Sequence, residues 1–386
     1  MNKRVVHVTS VHRPDDVRIF QKEARSLASV GYDVVVLALD SKRASGEIQE
    51  RTVEGVRIIS VPLGTVKSRL KRMTLGVYQL YKMAHKLDAA VYHLHDPELL
   101  PLGFVLRGWG KRVIYDVHED LPKQILAKPW IPQPLRGVVA RAAFGLEKIA
   151  GRWINGFVAA TPTIATRFPA SKTVIVQNFP IVSELTPQVL MPYKQRPHHV
   201  VYVGGISKER GLFQMIKAME RLSSPSQAKL ILAGEFASEA LEREARSLPG
   251  WKYVEFLGWQ NRGGVQDILS KSRIGLVVLH PMPNYWDGLP IKLFEYMAAG
   301  IPVVASDFPL WRRIVEDAGC GLLVNPLDPD AIAGAIDYLL SHPEEAEEMG
   351  KRGLRAVEEK YNWEREKEKL LVFYERFLEK DDPGSW

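Results

Sequence analysis

Cysteine is all but missing from this chain of 386 residues: Cys320 stands alone, so no internal disulfide can form and no thiolate cluster can hold a metal. A lone thiol of this kind reads as a small buried hydrophobe, and a reducing cytoplasm is the simplest compartment for it. Long apolar runs are missing as well. Nothing approaches the roughly 18 uncharged apolar residues of a membrane span. The opening "MNKRVVHVTSVHRP" has an apolar run too short for a signal peptide. The expectation is a chain that neither crosses a bilayer nor is secreted by that route. There is no low-complexity tract, and no recognition module or aromatic signature for nucleic acid, so nucleic acid is not an expected partner. Acidic charge is scarce in one half only. Residues 1–190 hold 27 Lys and Arg against 16 Asp and Glu, whereas the remainder holds 25 against 29.

What is present fits a globular protein, at 46% hydrophobic and 25% charged. The length exceeds what one core usually serves, which predicts two domains. "RVVHVTS" reads as a buried strand and "DDVRIFQKEARSLASVG" as a helix with apolar spacing at Val17, Phe20, Ala24 and Leu27 and a stop at Gly31. "YDVVVLALD" then gives a second strand, completing a parallel crossover unit. Further strands are expected in "GVRIISVP", "AAVYHLHD", "KRVIYDVHE", "GFVAATP" and "TVIVQNFP". Residues 181–198, with three prolines and little periodicity, read as a linker. The alternation restarts at "HHVVYVGGISKERGLFQMIKAMERL" and continues through "AKLILAGE", "YVEFLGW", "SRIGLVVLH", "GIPVVASD" and "CGLLVNP". The class is therefore α/β, two doubly wound Rossmann-like domains, 1–180 and 199–361, expected to face a central cleft at the C-terminal ends of their strands. A charged amphipathic helix over about 362–380 follows, and "DDPGSW" reads as a frayed tail.

Chemistry concentrates in "PNYWDGLPIKLFEYMAAGIPVVASDFP". Pro290 is placed as the first residue of a helix over 290–299, with Gly300 as its stop. Ile291, Phe294, Met297 and Ala298 share its apolar arc, and Glu295 falls at the rim of that arc near Lys292. The loop "WDGLP" brings Asp287 and a glycine-permitted backbone to a helix N-terminus, where unpaired N–H groups favour an anion. Carboxylates beside a phosphate seat would repel phosphate unless they bind hydroxyls. A ligand with both phosphate and polyol, a nucleotide sugar, resolves the conflict. The alternative is a plain i, i+3 ion pair between Lys292 and Glu295 on a surface helix. Two other segments favour the ligand reading: "YVGGISKERG", where glycines precede Lys208 and Arg210, and "LAGE", which ends a strand at Gly234 and Glu235.

"DGLPIKLFEYMAAGIPVVASD" resembles the donor-site signature of glycosyltransferase family 4, retaining enzymes of the GT-B fold, in which two glutamates are separated by seven residues. Asp287 stands where the first glutamate is usual and Glu295 matches the second. "YVGGISKERG" is similar to that family's diphosphate loop, with Gly205 where an arginine is usual and Arg210 for the lysine. The resemblance implies that Glu295 binds the ribose hydroxyls, Asp287 the transferred sugar, and Arg210 with Lys292 the diphosphate. Gly204, Gly205 and Glu235 would line the loop, and the amides of Gly288 and Leu289 would complete the phosphate seat. It also implies a terminal helix crossing back onto the first domain. No cofactor or metal is required on this reading, because protein cations fill the metal's role. The donor is a nucleotide diphosphate sugar, with UDP-sugar favoured and GDP-sugar the alternative.

In the first half, His118 in "YDVHEDLP" lies just past a strand. By the resemblance it is the catalytic-site candidate there, beside Arg210, Lys292 and Asp287; a histidine capping its own loop is the alternative. His93 and His95 in "HLHDPE" share a face by period two, but a zinc site built on them has no convincing further ligand in the sequence, and no metal site is assigned. Asp16 and Arg18 are expected to fix the first loop to its surroundings, with acceptor contact as the alternative. The basic stretches 66–86 and 128–153 mix Lys and Arg with Trp, Tyr and Leu, a pattern that suits an anionic membrane surface as well as plain solvation.

The resulting expectation is a retaining hexosyltransferase, cytoplasmic and peripheral on the inner face of the plasma membrane. It would transfer to a glycan or lipid-linked acceptor in cell-envelope polysaccharide synthesis. The alternatives are a nucleotide-sugar epimerase on the same architecture and a nucleotide-sugar-binding partner subunit without turnover.

Overall fold

The computed structural model describes residues 3–40, 47–63, 72–128, 131–185, 191–224, 227–286 and 288–379. Two compact units are present, Met1–Asn178 with Glu364–Trp386, and Phe179–Trp363. The division falls at 178/179 and 363/364.

The first unit holds strands β1 (Arg4–Thr9), β2 (Asp33–Asp40), β3 (Gln49–Val53), β4 (Val56–Pro62), β5 (Val91–Leu94), β6 (Arg112–Val117), β7 (Gly156–Ala159) and β8 (Thr173–Ile175). They form one sheet in the order β3-β4-β2-β1-β5-β6-β7-β8, parallel except for the β3–β4 pair. β3, "QERTV", escaped the sequence reading because an edge strand needs no apolar run, and four of its five residues are exposed. The strand order reverses direction between β1 and β5, the position at which open α/β sheets gather ligand-binding loops.

Side chains alternate across a strand, and the two faces of this sheet differ. Val6, Val8, Val35, Leu37, Tyr92, Leu94, Val113 and Tyr115 join one apolar core. The opposite face carries His7, His93 and Asp116, all fully buried. Against it lie a π-helical turn, Val17–Ala24, continued by an α-helix, Arg25–Ser29, and the last helix, Trp363–Glu379. The π winding revises the expected helical face. Phe20, Ala24 and Leu27 are buried as expected, but so are Arg18, Lys22 and Glu23, while Val17 is 39% exposed.

The second unit holds β9 (His199–Val203), β10 (Lys229–Ala233), β11 (Val254–Gly258), β12 (Ile274–Val277), β13 (Val303–Ser306) and β14 (Gly321–Val324). All are parallel, in the order β11-β10-β9-β12-β13-β14. This is the doubly wound dinucleotide-fold order, with its switch point between β9 and β12. Both faces are apolar. Val200, Tyr202, Leu230, Leu232 and Leu276 pack with Leu212, Ile216, Ile332 and Ile336 on one side. Val201, Val203, Ile231 and Val277 pack with Leu293, Phe294, Met297 and Trp311 on the other. Cys320 lies in this second core, and burial pushes its thiol up to about 12.

Among the described residues, no helix is long and apolar enough to cross a membrane. Within the expected linker, residues 186–190 lie outside the described residues, as do 66–71 and 129–130 of the two basic stretches and the 381–386 tail.

Candidate functional site

The loops after β9 and β12 meet at the second sheet's switch point. Just past β9, Gly204 has φ +137, and its carbonyl is approached so closely by Gly234 that a Cβ on Gly234 would lie 1.8 Å from Gly204 O. Only glycine at 234 permits that contact, and it presses the turn flat against the end of β10. A Cβ on Gly204 would come within 3.1 Å of Lys292 Cε, and one on Gly205 within 3.0 Å of Arg210 Nη1. The fold therefore gathers the glycine turn and Arg210, from one stretch of chain, with Lys292 from another. Arg210 Nη1 donates to Gly205 O at 3.1 Å, and the Tyr202 hydroxyl donates to the same oxygen at 2.8 Å.

Lys292 and Glu295 lie on the helix Ile291–Ala298. Pro290 serves as its N-cap and not as its first helical residue. Of the expected apolar arc, Phe294, Met297 and Ala298 are buried, while Ile291 is half-buried and Leu293 takes its place in the core. Glu295 lies deeper than the rim, only 4% exposed. Its Oε2 accepts from Lys292 Nζ at 2.6 Å and its Oε1 from Arg262 Nη1 at 2.8 Å, and Arg262 also donates from Nε to Glu184 at 3.1 Å. Burial disfavours the charged carboxylate, but the charges of Lys292 and Arg262 outweigh it and hold Glu295 at about 2. The ion pair expected from spacing is present, with a buried Glu295 held between two half-buried cations.

The other named positions fall as follows. Glu235 has an exposed side chain, and its carbonyl accepts from Ile206 N at 2.8 Å. Gly288 O accepts from Trp311 Nε1 at 2.8 Å, which ties the loop to the helix Pro309–Ala318, and Leu289 packs partly buried on the second core. Asp287 lies outside the described residues.

In the first unit, His118 follows β6 and is mostly buried. Its Nε2 lies 2.8 Å from Asp116 Oδ2 and 3.2 Å from His95 Nδ1, and its ring faces that of His12 at 5.0 Å. Burial lowers the affinity of His12 for a proton, but Asp16 and Asp96 outweigh it and raise this imidazole to about 9. Arg18 donates to both oxygens of Asp116, at 2.9 and 2.8 Å, and to Val176 O at 3.0 Å, so it does fix the first loop to the sheet. Asp16 caps the π turn by accepting from the amides of Arg18 and Ile19. Asp96 holds the loop after β1 through Thr9 Oγ1 and Ser10 N, both at 2.7 Å. Burial opposes ionisation of Asp116, yet Arg18 keeps its carboxyl well below the usual range; burial and the neighbouring Asp116 push Glu23 well above it.

The two halves of the chain match two family models: Glycosyl transferase 4-like domain over residues 17–178 and Glycosyl transferases group 1 over residues 192–356. The chain belongs to the group 1 glycosyl transferases. The phosphatidyl-myo-inositol mannosyltransferase of Mycobacterium leprae is 26% identical to this transferase over 365 residues, 91% of this chain and 90% of its own. An uncharacterized glycosyltransferase of Methanocaldococcus jannaschii is 30% identical over 181 residues, 47% of this chain and 45% of its own. Among solved structures, sucrose-phosphate synthase from Thermosynechococcus elongatus superposes with a TM-score of 0.78 at 19% identity, covering 97% of this chain and 99% of that one. Anabaena HepE in complex with UDP gives 0.70 at 14% identity, covering 97% and 100%. The transferase thus has the GT-B fold.

The Arg210 guanidinium lies beside position 205, where a Cβ would come within 3.0 Å of its Nη1. Sequence reasoning missed Arg262, which stands 33 positions from Glu295 with only its place behind the helix cap Asn261 as a signal. It also missed the charged face of the first sheet. The zinc reading of His93 and His95 found no further ligand in the sequence; the fold supplies His7 and Glu23, all four offering ligand atoms within 4.8 Å of one another, and a second such group in His95, Asp116 and His118.

Proposed function

We propose that this glycosyl transferase moves a hexose-type sugar, with retention, from a nucleotide diphosphate sugar to a glycan or lipid-linked acceptor of the cell envelope. The observation that carries the reading is the convergence of Arg210 and Lys292 on the Gly204–Gly205 turn, with Lys292 fixed by Glu295. Two cations beside exposed backbone suit a diphosphate, whose charge grows as the sugar leaves. Because Lys292 is already held at 2.6 Å, it stabilises that charge without reorganising. Each Glu295 oxygen accepts one hydrogen bond and keeps lone-pair capacity for a ribose hydroxyl. Asp287 is assigned to the transferred sugar, the amides of Gly288 and Leu289 to the phosphate, and the first unit, with His118, to the acceptor. A UDP donor is favoured, since HepE was solved with UDP, and no metal or cofactor is assigned to the transfer step.

An anionic membrane as the setting of the acceptor is supported by the helix Gln133–Trp153. Its exposed Leu135, Val138, Val139, Ile149 and Trp153 fall within about 100° of arc, flanked on one edge by Arg141, Lys148 and Arg152. This supports a peripheral position on the cytoplasmic leaflet, where anionic lipid lies. The mannosyltransferase relative, named for phosphatidyl-myo-inositol, supports a lipid-linked acceptor.

A thermal-shift panel of UDP, GDP, ADP and their sugars, with and without magnesium, tests the donor assignment. The expected outcome is a selective, magnesium-independent rise in Tm, corresponding to about 2.7 kcal/mol at 100 times Kd, and its loss in Arg210→Met. A panel without any response would remove the donor site and favour a role in partner binding; donor consumption without an acceptor would favour epimerisation.

A further inference from the structure

The buried face of the first sheet holds an unusual set of unsatisfied atoms. Among the described residues, His7 Nε2, His93 Nε2 and both oxygens of Glu23 are buried without a hydrogen-bond partner. The residues themselves are 0% exposed. Arg18 Nε stands 3.1 Å from Glu23 Oε1 as an ion pair, without hydrogen-bond alignment. An unpaired buried polar atom of this kind is costly, and native proteins leave few. Here they collect in one place, because His7 and His93 are register partners on β1 and β5 and Glu23 faces them from the π-helical turn.

The tautomers sharpen the point. His93 Nδ1 lies 2.7 Å from the Tyr374 hydroxyl, and His7 Nδ1 lies 2.9 Å from His95 Nε2. His95 Nδ1 in turn lies 3.2 Å from Asp116 Oδ2, which as a carboxylate can only accept. With the proton of His95 on Nδ1, toward Asp116, its Nε2 accepts from His7 Nδ1–H and leaves His7 Nε2 as a bare lone pair. With Nδ1–H of His93 donated to Tyr374, His93 Nε2 is bare as well. Two lone pairs then stand beside a carboxyl group that can offer at most one proton between them. A cation is the natural complement.

We propose that His7, His93 and Glu23 bind a divalent transition metal of the zinc class through these unpartnered atoms, with His95 and Tyr374 as the outer partners that orient the two imidazoles. Two histidines and one glutamate form a known zinc donor set. Ligating histidines commonly donate their second ring nitrogen to an outer group, and that outer group is already in place on both rings. His95 also lies within the 4.8 Å group. Because the ligands are fully buried, the metal is acquired as the chain folds, and its role is structural: it joins β1, β5 and the π-helical turn and, through Tyr374, the last helix.

The test uses the full chain, expressed in zinc-supplemented medium and passed through gel filtration, with metal measured by plasma mass spectrometry. A parallel sample is unfolded and refolded with zinc or with EDTA. The expected result is about one zinc per chain, a higher Tm after refolding with zinc than with EDTA, and loss of the metal in Glu23→Gln and His93→Gln but not in His342→Gln, a surface control. Folded wild-type protein without metal in either preparation, and with the same Tm in zinc and EDTA, would overturn the proposal and assign the space to a buried water. Zinc retained in both ligand variants would overturn it equally. If the variants do not fold, the wild-type refolding pair alone decides.

Discussion

The two sheets solve the same architectural problem with opposite interiors. In the second unit, alternate strand residues feed two apolar cores, and the charged groups Arg210, Lys292, Glu295 and Arg262 stand on loops and helices beyond the strand ends. In the first, one sheet face is apolar, while the other carries His7, His93 and Asp116 mid-strand against Arg18, Lys22 and Glu23. The difference teaches where each unit's stability is vulnerable. A sheet insulated on both faces can lose a site residue with its core intact, whereas a sheet with charges at its centre depends on every partner of those charges.

The largest expected effect follows for Arg18→Ala, which leaves Asp116 and Glu23 as carboxyls without their cation. Removing one partner of a buried ion pair costs about 3–5 kcal/mol. Urea unfolding should show a fall of that size, and a fall below 1 kcal/mol would mean that the charged face is hydrated and not sealed. In the second unit, Glu295 has a folded-state value of about 2 against about 4.3 for a free glutamate. A lowered value means that its stabilisation is fully present above the unfolded value and disappears as pH falls through the folded one. The contribution is about 3 kcal/mol at neutral pH. Glu295→Gln should therefore lose stability at pH 7, flatten the acid limb between about pH 4 and 2, and weaken nucleotide binding. An unchanged acid limb would show that the triad of Lys292, Glu295 and Arg262 is not held in solution. The smallest effect on folding is expected for Trp153→Asp, on the exposed face of the basic unit, within about 0.5 kcal/mol of wild type. Flotation should nevertheless show reduced association with anionic vesicles. Equal flotation of the two proteins, or of wild type with neutral vesicles, would remove the membrane surface from the proposal.

The second unit was the more legible of the two because its logic is local. Apolar runs became strands, glycines ended helices, and Lys292 and Glu295 were close enough in sequence for spacing to relate them. Arg262 was hidden because its partner is brought by the fold from 33 positions away. In the first unit, reading the 17–29 segment at 100° per residue gave an apolar face of Val17, Phe20, Ala24 and Leu27; the π-helical turn instead buries Arg18, Lys22 and Glu23 and exposes Val17, and nothing in the pattern of side chains announces that change of pitch. Pro290 shows a milder limit, since proline fits both the cap and the first turn of a helix and only the backbone decides.

The last helix, Trp363–Glu379, returns the chain to the unit in which it began. Tyr374 reaches His93, Arg112 Nη1 donates to the carbonyls of Phe377 and Leu378 at 2.8 and 2.9 Å, and a Cβ on Gly156 would lie 2.7 Å from the Phe377 ring. During synthesis, then, all eight strands of the sheet that emerges first can pair before the second unit is made, but their polar face is not fully covered until the whole of the second unit has left the ribosome. A chaperone or an early metal ion would find its opportunity in that interval.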